Sequence, residues 1–103
     1  MNPALTLARE YGIPIVFADL GDWGVDELRS EYDPEGPVIR INVRVAEQLT
    51  LSELGEFVAL CVGHELYHHR EHIGEVQRLP TRKDREIAAN DFARKLLSSH
   101  VGK

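Results

Sequence analysis

Thr50-Leu51-Ser52-Glu53-Leu54-Gly55-Glu56-Phe57-Val58-Ala59-Leu60-Cys61-Val62-Gly63-His64-Glu65-Leu66-Tyr67-His68-His69-Arg70-Glu71-His72 reads as one long helix. Thr50 followed by Glu53 is a capping-box start, and Gly74 is the expected stop. Within the helix, His64-Glu65-Leu66-Tyr67-His68 has the H-E-x-x-H spacing. Residues four apart on a helix differ by about 40° in direction and about 6 Å in height. Two imidazoles so placed can converge on one Zn²⁺, with a carboxylate beside them that can reach a metal-bound water.

The elements around this helix point to α+β. Asn2-Pro3 has the form of an N-cap followed by proline, so Ala4 to Tyr11 is expected to be helical, with Gly12 as its stop. Ile13 to Ala18 is an apolar, β-branched run that predicts a first strand. Asp19 to Gly24 reads as a turn. Trp23, inside it, is expected to be an anchoring core aromatic. Glu27 to Tyr32 and Val38 to Val43 predict a second and third strand, joined by the turn chemistry of Asp33-Pro34-Glu35-Gly36. Thr81 followed by Asp84 opens a last helix, from about Arg82 to Ser98. Its stripe of Ala89, Phe92, Ala93, Leu96 and Leu97 has helical spacing. The expectation is a small three-stranded antiparallel sheet packed against the motif-bearing helix and a C-terminal helix.

Composition narrows the function classes. The chain has 103 residues, 43% of them hydrophobic, which suits a single domain spanning 1–103. Its net charge of −5 argues against direct nucleic-acid binding, which needs clustered cations. Cys61 is the only cysteine, so neither an intrachain disulfide nor a multi-cysteine zinc site can form. With no signal-peptide pattern at Met1 to Glu10 and no membrane-length apolar run, a cytoplasmic protein is expected. Cys61, in an apolar helix run, is expected to be buried.

H-E-x-x-H supplies two ligands, whereas catalytic zinc usually takes three from protein. His72 lies about 12 Å along the helix from His64 and cannot join His64 and His68 on one ion. His69 points about 100° away from His68. The last helix offers Glu86-Ile87-Ala88-Ala89-Asn90, in which Glu86 and Asn90 share a face. Glu86 is a candidate third ligand. Asn90 is a candidate to hydrogen-bond a ligand histidine and fix its tautomer. Small Ala89 and Ala93 would let the two helices approach.

These two motifs, His64-Glu65-Leu66-x-His68-x-x-x-His72 and Glu86-x-x-Ala89-Asn90-x-Phe92-Ala93-x-x-Leu96-Leu97, together with the Val38 to Asn42 strand, resemble the ImmA/IrrE metallopeptidases. The resemblance covers roughly residues 38 to 97. It implies a zincin-like core and a gluzincin-type site, with Zn²⁺ on His64, His68 and Glu86 and Glu65 as catalytic base. It also implies a protein substrate, typically a helix-turn-helix repressor in phage, mobile-element or stress-response control. Tyr67 stands where the family usually has glycine, and Ala88 where it often has a second acid.

The expected reaction is hydrolysis of a peptide bond, with Glu65 taking a proton from water and passing it to the leaving amine. Tyr67, His69 and His72 are nearby candidates to steady the oxyanion. The alternative is a catalytically silent domain of the same fold that binds a regulator. The base beside the ligands, Glu65, favours the enzyme. A genome-maintenance protease of the SprT type shares H-E-x-x-H but would take its third ligand from a later histidine.

Overall fold

A computed structural model describes residues 2–21 and 29–101. The elements run α1 (Pro3–Tyr11), β1 (Ile15–Ala18), β2 (Ser30–Asp33), β3 (Val38–Asn42), α2 (Val43–Ala46), α3 (Leu51–His72) and α4 (Arg82–Val101). Trp23 and the expected start of the second strand, Glu27 and Leu28, lie outside the described residues. Among the described residues, no helix is long and apolar enough to cross a membrane.

The α+β class is observed, but the sheet is mixed rather than antiparallel. Its order is β1-β3-β2. β2 pairs with β3 antiparallel, Tyr32 opposite Ile39. β1 pairs with β3 parallel, Ile15 aligned with Ile39 and Phe17 with Ile41. Burial accounts for the central place of β3. Ile39, Ile41 and Asn42 are fully buried, whereas Val16 and Phe17 of β1 stay exposed. The strand with the most buried side chains lies between the other two and separates β1 from β2.

Local chemistry sets the helix ends. Asn2 Oδ1 accepts from the Ala4 and Leu5 amides at 2.9 and 3.3 Å, and Gly12 closes α1 at φ 73°. Thr50 and Glu53 form the reciprocal capping box at the start of α3. Gly74 follows α3 at φ 80°. Thr81 Oγ1 accepts from the Asp84 amide at 3.0 Å, at the start of α4. The third strand stops one residue short of Val43, because Asn42 turns into the N-cap of α2. Its Oδ1 accepts from Leu20 N and Arg44 N, and its Nδ2 donates to Gly21 O. One buried amide thereby ties the chain after β1 to the end of β3, and each polar atom it buries is matched.

The core lies between the sheet and α3. Val62 and Leu66, one helical turn apart, are fully buried with Ile39 and Ile41. This face fixes the rotation of α3 and so decides which way the neighbouring residues project. α4 lies along the opposite side of α3, with Ala89 and Ala93 buried. Gly63 makes that approach possible. A Cβ there would sit 2.8 Å from Ala93 Cα, closer than packed atoms tolerate. Phe92 extends the seam, with the Tyr67 ring 6.0 Å away and the Arg70 guanidinium 5.0 Å from its ring centre.

Candidate metal centre

With Val62 and Leu66 turned to the core, His64 and His68 emerge together on the α4 side of α3. Their Nε2 atoms are 3.2 Å apart. Glu86, in the first turns of α4, places Oε1 3.3 Å from His64 Nε2 and Oε2 2.9 Å from His68 Nε2. Two helices therefore bring to one point the three residues singled out as ligands. His64, Glu65 and His68 also offer ligand atoms within 4.8 Å of one another. Glu65 and Glu86 thus compete for the third place, and their settings differ. Glu65 is buried and its Oε2 accepts from Ser30 Oγ at 2.7 Å. The Glu86 carboxylate spans both Nε2 atoms and remains 43% exposed, so it closes the pair while leaving access from solvent.

The far side of each imidazole determines what its Nε2 can do. His64 Nδ1 lies 2.7 Å from Asn90 Oδ1, and His68 Nδ1 lies 2.9 Å from Glu71 Oε1. An ionised carboxylate oxygen only accepts, so Nδ1 of His68 carries the hydrogen and donates it. In the neutral ring Nε2 then presents its lone pair. Asn90 Oδ1 imposes the same tautomer on His64. Two lone pairs and a carboxylate meeting within 3.3 Å repel unless a cation or protons sit among them. Ligand bonds of about 2 Å in a tetrahedron put ligand atoms about 3.3 Å apart. The donor set, two imidazoles and a carboxylate with both rings backed by acceptors, fits zinc.

Glu65 sits next to His64 in sequence and faces the sheet side of the cluster. Burial pushes its carboxyl above the ordinary range. The neighbouring His64, the Ser30 hydrogen bond and His68 oppose that rise, and Glu86 adds to it. Ser30, on β2, therefore holds the Glu65 carboxylate in one orientation. Cys61, one turn before, is buried and its thiol is pushed up to about 11 by burial, so it is inert at neutral pH.

The other sequence candidates fall elsewhere. Tyr67 packs on Phe92 and lines neither of the two recesses beside the cluster. His72 is exposed and lines one of them, with its ring 6.3 Å from that of Tyr32. His69 is buried on the other face of α3, with Nδ1 2.7 Å from Tyr32 Oη and its ring 5.0 Å from that of Tyr11. Sequence reasoning missed Glu71 and Ser30. Glu71 had a signal, a carboxylate three residues after a candidate ligand on the same helix. Ser30 had none, because only the sheet brings β2 to α3. No protein-family model, no curated protein and no solved structure matches this chain.

Proposed function

We propose that this chain is a zinc-dependent endopeptidase that hydrolyses a peptide bond in a protein partner. One observation carries the reading: His64 Nε2, His68 Nε2 and the Glu86 carboxylate converge within 3.3 Å, with the buried Glu65 carboxylate beside them. His64, His68 and Glu86 would hold the ion. When bound, zinc supplies Lewis-acid polarisation and a water of lowered pKa.

The chain's own groups supply the rest. Asn90 and Glu71 hold the two imidazoles in the tautomer that presents Nε2. Ser30 Oγ orients the Glu65 carboxylate, whose Oε1 is the atom that takes the proton from water and delivers it to the leaving amine. Burial of Glu65 limits competing bulk water. The partner fitting the ImmA/IrrE resemblance is a helix-turn-helix repressor, and the zincin-like core and a cytoplasmic location belong to the same proposal.

The test is co-incubation of the zinc-supplemented protein with a helix-turn-helix repressor found encoded in the neighbouring genes, followed by mass spectrometry. Cleavage by wild type and its loss in Glu65→Gln is the expected result. Identical cleavage by both would show that the base is not used. No cleavage by a zinc-loaded wild type would favour the silent binding module.

A further inference from the structure

Two recesses flank the ligand cluster and share Glu86 in their walls. One, of about 370 Å³, includes Arg29 and Arg94. The other, of about 450 Å³, runs from His68 past Tyr32 and His72 to Arg78, Arg82 and Arg85. Five of the chain's nine arginines thus border the cluster, in a protein whose net charge is −5.

The five also differ in pairing from three of the other four arginines. Arg40 is bound by Glu31 and Asp33, Arg44 by Asp19, and Arg70 by Glu75. Among the described residues, no carboxylate lies within ion-pair distance of Arg29, Arg78, Arg82, Arg85 or Arg94. The two acids in the wall of the larger recess are engaged elsewhere. Glu86 faces both Nε2 atoms, and Glu71 faces His68 Nδ1. Arg85 is half-buried and anchored by one bond, Nη1 donating to Leu79 O at 3.1 Å. A guanidinium has five N–H donors, so most of its fork stays available to a planar acceptor.

We propose that the recess bounded by Arg78, Arg82 and Arg85 binds an acidic side chain of the substrate, so that the peptide segment cut here carries Asp or Glu beside the scissile bond. This rests on the peptidase reading above. A guanidinium fork matches a carboxylate in geometry as well as charge. The cations are gathered in two discrete recesses with room for a few side chains each, on an otherwise acidic molecule, and a polyanion would need a continuous basic stripe. Docking an acidic segment also makes use of guanidinium groups that have no carboxylate partner among the described residues.

The test uses full-length, zinc-supplemented Glu65→Gln protein, which keeps the recess and spares the probe. The probes are two fluorescein-labelled peptides of one alanine- and glycine-rich sequence, one with glutamates and one with glutamines at the same positions. Binding is read by fluorescence anisotropy. The glutamate peptide is expected to bind at least about 10-fold tighter, the scale of one charge-assisted hydrogen bond. Adding Arg82→Glu, or Arg82→Glu with Arg85→Glu, should abolish the preference, while Arg9→Glu on exposed α1 surface should leave it. No measurable binding, equal binding of the two peptides, or an equal effect of Arg9→Glu would overturn the proposal. So would single-stranded DNA of matching length that binds tighter than the glutamate peptide and depends on the same arginines. Zinc content measured on the same samples separates the two ideas, because a protein without zinc defeats the peptidase reading whichever peptide it prefers.

Discussion

Glu71 Oε1 lies 2.9 Å from His68 Nδ1, while Glu71 Oε2 is buried with no hydrogen-bond partner among the described residues. A carboxylate held this way is poorly rewarded by the fold itself, since burying an unmatched polar atom is costly. Its position makes sense as the group that sets the tautomer and basicity of a ligand histidine. Glu71→Ala is therefore expected to weaken zinc binding by about 10–100-fold. Competition with a chromophoric chelator measures this, and an unchanged Kd would remove Glu71 from the site.

Gly63 and Ala93 set the distance between the two halves of the site. A Cβ at residue 63 meets Ala93 Cα at 2.8 Å and Cβ at 2.9 Å, both on a helix and with little room to give. Gly63→Val should push α4 away and cost about 1–3 kcal/mol in denaturant unfolding. Zinc affinity should fall further than stability alone explains, because Glu86 and Asn90 ride on α4. A variant as stable as wild type and with the same zinc affinity would show that the seam is looser than its geometry.

His69 gives the fold a pH dependence of predictable sign. Its pKa is held below the ordinary histidine value, first by burial and then by His72, with Glu75 opposing. The unfolded chain takes up this proton as pH falls below about 6.5, whereas the folded chain resists it. More protons on the unfolded state means stability falls as pH drops through that window. Protonation would also put a hydrogen on both ring nitrogens and leave Nδ1, 2.7 Å from Tyr32 Oη, able only to donate. In chelator, thermal unfolding of wild type is expected to lose ground to His69→Gln as pH falls from neutral toward 5. A constant difference across that range would contradict the assignment.

Much of the site could be read from the sequence, for reasons of periodicity. His64, Glu65 and His68 are neighbours on one helix, and Glu86 and Asn90 on another, so each half follows from spacing alone. Joining the halves needed only a reason for close approach, and Ala89 and Ala93 offered one; Gly63 on the facing helix supplied the rest. The sheet was less legible. Which strands become neighbours depends on burial summed over the whole fold, and β3, with Ile39 and Ile41 fully buried, takes the middle and pairs parallel with β1. Ser30 and Tyr32 reach Glu65 and His69 only through that arrangement. Likewise, the recess arginines are drawn from the segment after α3 and the start of α4, and no single motif unites them.

Zinc content decides the central claim most directly. Purified under metal-replete conditions, the wild-type chain should carry about one zinc ion per molecule, and Glu86→Ala should lose most of it while remaining folded by circular dichroism. A wild-type protein free of zinc, or a Glu86→Ala variant that keeps both stoichiometry and affinity, would contradict the two-helix metal centre.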